Sequence, residues 1–577
     1  MKKFKKIMAY FVFITIICMN ILLCSCDYSK IELLASIDDE NVTGSGEEIQ
    51  EESRIIYSKE FFLAQKEEQL NKNPLGDLNI RKAVFYAIDR ERIVEELYGK
   101  YNEVINSLFA QGSFYSSQSW SQYDYNPDKA VELLNRAGYG VDNPLYVTIG
   151  SISNSETKDM IEEFIKEDLG KIGIKIWVFN KPSEEWYGDC VGNGEYEMGL
   201  WSVYNFNGSS LNYSFNSVKI PPMLTEDNKN CENFYWYGNQ EVDLILEDLE
   251  SEDNIEERKK LFGNLQDLVA DDAVVLPLYS RIYAIVFNNE KIEELDVSVK
   301  NNEFFFDLES WVLNDDWHHA DSEDNEIVVG CRDEDYDLYN LLGGDFISDL
   351  MIKGLWRLNE IGEYENFLVS AESYQGNRIT SVYNKKINVV LKDEIFWQNG
   401  EPITSEDIKY SYDVILENEG IIDNYEDYLK IEDIEIINEK EFNILLKEYI
   451  SDYRKLFGFI MPAGFLEEKD ITSISVNDIV SNGPYKLGKY DKDSYLLLEK
   501  NEYYFEEISG IHDIRIVFDT DINNLIGMLE DKEVDILSVP FDLTLVSRLD
   551  EGKDFGLLIK PGNMIEQLAL CLKPKEE

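Results

Sequence analysis

Three histidines make up the whole imidazole complement of this 577-residue chain: His318, His319 and His512. A hydroxyl–imidazole–carboxylate site needs a histidine between nucleophile and acid, and only His512, beside an expected strand, could serve. His318 and His319 stand among Asp315, Asp316 and Asp321, a set that could hold a metal weakly. A solvated acidic linker is the plainer reading of that stretch. No CxxC pair occurs, which argues against a zinc site, and no GxxxxGK[ST] loop cradles a nucleotide. Cys190 and Cys231 could pair in an oxidising compartment or remain buried thiols. These residues point to binding rather than catalysis: no enzyme, no cofactor and no resident metal are expected.

The elements that must position any site come from a chain too long for one core, so two or three domains are expected. Apolar residues make up 44% of it, enough to bury them. The net charge of −59 argues against nucleic acid and anionic headgroups as partners, and solubility is its plain meaning. At the N-terminus Lys2, Lys3, Lys5 and Lys6 precede an apolar run from Ile7 to Cys24, the shape of a secretory signal. The run ends in Leu23-Cys24-Ser25-Cys26 and resembles a bacterial lipoprotein signal over residues 1–26, with Cys26 as the lipidated residue. An uncleaved membrane anchor is the other reading. Residues 27–53 are polar and acidic and read as a flexible tether.

Beyond the tether, Arg54 to Ala64 is an apolar, aromatic run expected to be a strand. Asn73-Pro74-Leu75-Gly76-Asp77 is a turn. Ile80, Val84, Ala87, Ile88, Val94 and Leu97 then recur at helical spacing, as one helix stopped by Gly99. Asn126-Pro127-Asp128 supplies an N-cap, a first-turn proline and an early acid for a helix ending at Gly138. Leu145 to Gly150 reads as a strand, Lys158 to Leu169 as a helix and Ile172 to Phe179 as a strand, an α/β alternation. Asn239 to Leu249 and Ile255 to Val269 look helical, and Val274 to Tyr279 looks like a strand. Residues 314–326 are acidic and aperiodic.

Two linked motifs carry a resemblance. Asn73-Pro74-Leu75, Ile80-Arg81, Ala83 and Tyr86-Ala87-Ile88-Asp89-Arg90, followed by Pro127-Asp128-Lys129-Ala130, Leu133-Leu134 and Ala137-Gly138-Tyr139, resemble the family 5 extracellular solute-binding proteins. These are the peptide- and nickel-binding subunits of ABC importers. Residues 54–312 resemble the second half of a family member. After an acidic linker at 313–326, residues 327–577 resemble its first half. Ile327 to Gly330 looks like the opening strand. Val389 to Asp393 with Asn399 to Ile408 resembles the strand–turn–helix signature, Thr404 and Asp407 forming a capping box. Asn482-Gly483-Pro484-Tyr485 precedes a strand from Leu496 to Tyr504, and Glu533-Val534-Asp535 closes a helix. The reversed halves read as a circular permutant; a fusion of pieces of two tandem copies is the rival account. Arg54 to Ala64 and Ile565 to Leu572 both resemble one hinge-crossing strand, so one copy would be redundant.

The resemblance implies a two-lobed α/β protein, type II periplasmic-binding-protein-like with an extra subdomain. It would be tethered outside the cytoplasm, act as a monomer, close by hinge motion on an oligopeptide-like solute and deliver it to an ABC permease and ATPase. In peptide-binding relatives one tryptophan and a Trp-x-x-Asp-Tyr segment line the ligand. Trp186 and Trp201 fall at the tryptophan positions, Tyr204 where the acid is expected, and Asn205 after it. An enclosed ammonium needs a carboxylate or several acceptors, so Tyr204 argues against ordinary free-amine anchoring. A plain packing role for both tryptophans stands beside the ligand-lining one.

Overall fold

The computed structural model describes residues 49–51, 54–56, 59–69, 73–205, 208, 210–221, 232–252, 254–294, 312–313, 326–332, 346–359, 363–375, 385–418, 422, 424–448, 450, 453–465, 474–492, 494–508, 511–551 and 555–574. Cys26, Cys231, His318, His319 and nearly all of the acidic linker lie outside them. The chain divides into two compact units. The first runs to Arg281 and takes back residues 564–577; the second is Ile282–Asn563.

In the first unit, α1 (Lys59–Gln69) leads to α2 (Leu78–Ala87), α3 (Arg90–Tyr98) and α4 (Pro127–Arg136). Then come β1 (Leu145–Gly150), α5 (Glu156–Ile172), β2 (Ile174–Val178), β3 (Met198–Tyr204), α6 (Gln240–Ser251), α7 (Ile255–Asp271) and β4 (Val275–Asn288). The second unit holds β5 (Glu326–Cys331), β6 (Val369–Gln375), β7 (Lys385–Leu391), α8 (Ser405–Glu417), β8 (Ile431–Asn438) and β9 (Glu441–Leu446). It continues with β10 (Tyr485–Asp491), β11 (Tyr495–Lys500), β12 (Asp513–Phe518), α9 (Ile522–Glu530), β13 (Ile536–Pro540), α10 (Leu543–Glu551) and the start of β14 (Phe555–Leu570). β4 and β14 each begin in one unit and end in the other.

The first unit's sheet places β14 antiparallel to β3, and β3 and β2 parallel to β1. In the second unit β12 and β13 flank β5 in parallel, and β6, β7, β9 and β8 form a separate antiparallel sheet. That separate sheet is the extra subdomain.

Local chemistry explains most boundaries. Asn126 Oδ1 accepts from Lys129 N with Pro127 in the first turn, and Gly138 leaves that helix at φ +90. Thr404 and Asp407 form the expected capping box. Glu533-Val534-Asp535 falls between α9 and β13, with the Asp535 carboxylate accepting from Val328 N at 2.8 Å.

Four expectations are corrected. The run from Arg54 to Ala64 is not one strand: only Arg54–Ile56 is extended, in a hairpin with Ile49–Glu51, and α1 starts at Lys59. Of the apolar residues 61–64 only Phe62 is buried, edge-on to Tyr146 at 5.4 Å, and a helix presents one such residue per turn. The redundant-strand idea falls with it, since β14 alone supplies that strand. The stretch from Ile80 to Leu97 is two helices. Ile88 turns extended (φ −89, ψ 121), and Asp89 caps the second helix by accepting from Arg92 N. The return strand continues well past Tyr279, to Asn288. The strand expected to reach Tyr504 stops at Lys500.

Candidate functional site

Strand alternation decides which residues share a face. Along β3 the side chains of Trp201 and Val203 point to one side, the side on which Gly199 leaves a gap, and those of Leu200, Ser202 and Tyr204 to the other. Unbroken pairing with β14, from Met564↔Tyr204 to Leu570↔Met198, carries the alternation across. Gln567 therefore joins the Trp201 face, and Glu566 joins the Ser202 face.

The Trp201 face is an aromatic box. Gly150 and Gly199 are cross-strand partners, and the indole of Trp186 lies over both. A Cβ on Gly150 would stand 2.7 Å from Trp186 Cζ3, and one on Gly199 2.5 Å from Trp201 Cζ3. Two residues without side chains thus make the room that two tryptophans fill. Trp186 comes from a wide helical turn, Glu185–Val191. Its ring lies 6.5 Å from Trp201 and 5.9 Å from Phe179. Tyr235 stacks on Trp201 at 5.9 Å and on Phe215 at 5.0 Å, and its hydroxyl accepts from Gln567 Nε2 at 2.7 Å. Both tryptophans are buried, and the Trp186 indole N–H has no partner among the described residues. Burial raises the Tyr196 and Tyr235 hydroxyls far above the ordinary phenol value, so both stay neutral.

The opposite face carries charge. Lys158, in the first turn of α5, places its ammonium on the Glu566 carboxylate, and Ser202 Oγ donates to the second oxygen at 2.9 Å. Both charged groups are nearly out of solvent. Burial lowers the Lys158 pKa, and Glu566 opposes that fall. Nearby Asn180 Nδ2 donates to Glu162 and Asp159, and both carboxyls are raised by burial. Ser202 and Tyr204 stand toward the carboxyl end of β3, and Ser151 just past that of β1. In open α/β sheets this edge receives ligands.

Of the four residues singled out by sequence, the structure brings Trp186 and Trp201 together. Tyr204 projects from the other face. Asn205 is committed to the scaffold: Nδ2 donates to Leu108 O at 2.7 Å, and Oδ1 accepts from Gly208 N at 3.1 Å. Sequence reasoning missed Lys158, Ser202 and Glu566. A signal existed for Lys158, which stands in register with the buried stripe Ile161, Ile165, Leu169 and Ile172.

The motif arginines hold the scaffold. Arg81 donates to the carbonyls of Asp272, Leu75 and Gly76. Arg90 donates to the carbonyls of Ile105, Pro277, Trp120 and Tyr123 and to Asn106 Oδ1. Through Ile105 and Asn106, Arg90 holds the loop whose Leu108 carbonyl receives Asn205.

The α/β sheet thus carries an aromatic box on one face and a paired buried charge on the other. The model of the family described as "Bacterial extracellular solute-binding proteins, family 5 Middle" matches residues 31–219 and 371–575, and the chain belongs to that family, one of binding proteins and not enzymes. Its fold is type II periplasmic-binding-protein-like, as that family's is. Among curated relatives, Heme-binding protein A of Haemophilus influenzae is 30% identical over 213 residues, 36% of this chain and 37% of that protein. Glutathione-binding protein GsiB of Escherichia coli is 26% identical over 216 residues, 36% of this chain and 40% of that one. The chain thus spans about two fifths of the length of the curated relatives it matches. Among solved structures, NikZ from Campylobacter jejuni in complex with Ni(L-His) shows 19% identity and a TM-score of 0.36, covering 40% of this chain and 46% of that one. AppA from Bacillus subtilis in complex with a nonapeptide shows 18% and 0.35, with the same coverage. Among the described residues no helix is long and apolar enough to cross a membrane.

Proposed function

We propose that this chain is an extracytoplasmic lipoprotein, anchored through Cys26, that captures a peptide-like solute and passes it to an ABC permease and its ATPase. It acts as a monomer, and ligand-driven hinge closure belongs to the same reading. The observation that carries it is the pairing of Trp186 with Trp201 over Gly150 and Gly199, in a member of a solute-binding family. In this reading the two indoles wall the solute, Tyr204 meets it from the charged face, and Asn205 is the post that sets the end of the strand. AppA, GsiB and Heme-binding protein A differ in the ligands their names record, so the family alone leaves the solute class open. Native mass spectrometry of the purified protein is expected to show a co-purified small solute, and Trp201→Ala to release it. A protein that carries no ligand and takes none up from a peptide mixture would sink the reading. One observation favours a second reading, a tethered surface sensor uncoupled from import: Tyr204 stands where relatives place an acid.

The reversed halves are part of the proposal. Asn73 Nδ2 donates to the carbonyls of Cys571 and Lys573, each at 2.9 Å, so the turn that opens one half lies against the end of the other. This supports a circular permutation joined natively at that point. A rearranged chain running 327–574 and then directly 73–313 is expected to be soluble and to melt cooperatively within about 5 °C of the parent. An insoluble product, or one without a cooperative transition, would count for the fusion account.

A further inference from the structure

At the carboxyl edge of β1 and β2 a single amide holds two acids. Asp159 and Glu162 stand three positions apart in α5, so they leave the same face of the helix. Asn180, just past β2, donates through Nδ2 to Asp159 Oδ1 at 3.1 Å and to Glu162 Oε2 at 2.8 Å. Its Oδ1 accepts from Ser151 N at 2.9 Å and from Ser151 Oγ at 3.1 Å, just past β1. Lys181 N donates to Ser151 O at 3.0 Å and Ser153 N to Lys181 O at 2.7 Å, so the turns after both strands move as one piece. That piece is tied to the two acids through one side chain.

The acids differ in their surroundings. Asp159 is exposed, whereas Glu162 is 2% exposed and its Oε1 is buried without a hydrogen bond among the described residues. Burial raises the Glu162 pKa and Asp159 adds to the rise, while Asn180, the Ser151 hydroxyl and Lys158 oppose it. A proton on Oε1 removes the charge that burial penalises and turns an unanswered acceptor into a donor. The neighbouring charges are engaged: Lys158, which also feels Arg281, is on Glu566, and Lys181 is paired with Glu185. Glu156 adds its negative charge to Asp159.

We propose that Asp159, Asn180 and Glu162 form a proton-operated latch that places this edge of the sheet, where open α/β folds receive ligands, under pH control. With Glu162 protonated, Asn180 bridges one neutral carboxyl and one carboxylate and holds both turns on α5. When the proton leaves, two like charges share one amide and the turns loosen. The latch does not depend on which solute the Trp186–Trp201 box takes. Glu162 holds its proton more tightly folded than unfolded, so its stabilisation is full below the ordinary value of 4.5 and is lost as pH rises above it.

The full chain is compared with Glu162→Gln, a permanent stand-in for the protonated acid, from about pH 5 to 8; the difference cancels every other titrating group. The parent's thermal midpoint is expected to fall behind that of Glu162→Gln by about 3 °C or more across this range. Amide exchange in the peptides holding Ser151, Ser153 and Lys181, corrected for the intrinsic rate, is expected to quicken about tenfold in the parent and to stay level in Glu162→Gln. Asp159→Asn, an exposed change that removes the like charge, is expected to shrink both effects, and it keeps the test open should Glu162→Gln fail to fold. A midpoint gap that does not vary with pH, equal exchange in the parent and Glu162→Gln, or undiminished effects in Asp159→Asn would each overturn the proposal.

Discussion

Arg90→Met is expected to remove most of the first unit's stability, a loss of about 4 kcal/mol or more in urea unfolding, seen first as a collapse in soluble yield. The guanidinium serves five acceptors at 3.0 to 3.4 Å, four of them backbone carbonyls. Each buried acceptor left without a donor costs about 1–3 kcal/mol, less where water can enter. Burial lowers the Arg90 pKa to about 10, still far above neutrality, so the group stays charged and its bonds keep their strength. Arg90→Lys gives a second reading of the same idea. A single ammonium has three protons on one point and cannot span five acceptors spread around a planar fork, so it should recover only part of the loss. A methionine variant within about 1 kcal/mol of the parent would show that these carbonyls find other donors. The effect should reach the site, because the loop Arg90 holds contains Leu108, the partner of Asn205.

The second large effect is a coupling. Lys158→Met alone is expected to destabilise by about 3–5 kcal/mol, because it strands the Glu566 carboxylate, which is 3% exposed. Glu566→Met alone should do comparable damage by leaving a buried ammonium. The double substitution should recover most of both losses, since two methionines fill similar space with no charge to desolvate. Urea midpoints of the four proteins close the cycle. If the single losses simply add in the double variant, the two charges are not sharing one desolvated contact.

These two cases also mark how far sequence could go. The cap at Asn126, the capping box at Thr404 and the strand at Leu145–Gly150 were legible because each is set by residues a few positions apart. The break at Ile88 was less so. The helical apolar spacing runs straight through it, and only the Asp89 cap, one polar residue in a familiar motif, hints at a restart. The helix at Lys59–Gln69 was hidden by a run of apolar residues of which only Phe62 is buried, against Tyr146 and Trp177, which local spacing does not reveal. At the site, the opposition of Trp201 and Tyr204 follows from simple alternation once both are known to lie on one strand. Their separation of three positions then forces opposite faces. The Lys158–Glu566 pair was beyond reach, since its members stand 408 positions apart and meet only through β14. The arginines that announce the family touch backbone carbonyls in every hydrogen bond but one, so the most recognisable letters describe the frame and not the ligand.

β14 has a further consequence for how such a protein is made. Its last residues, Met564–Leu570, are the neighbour that β3 pairs with, yet in the chain they follow the whole of the second unit. The first unit therefore lacks an interior strand until the second has been synthesised.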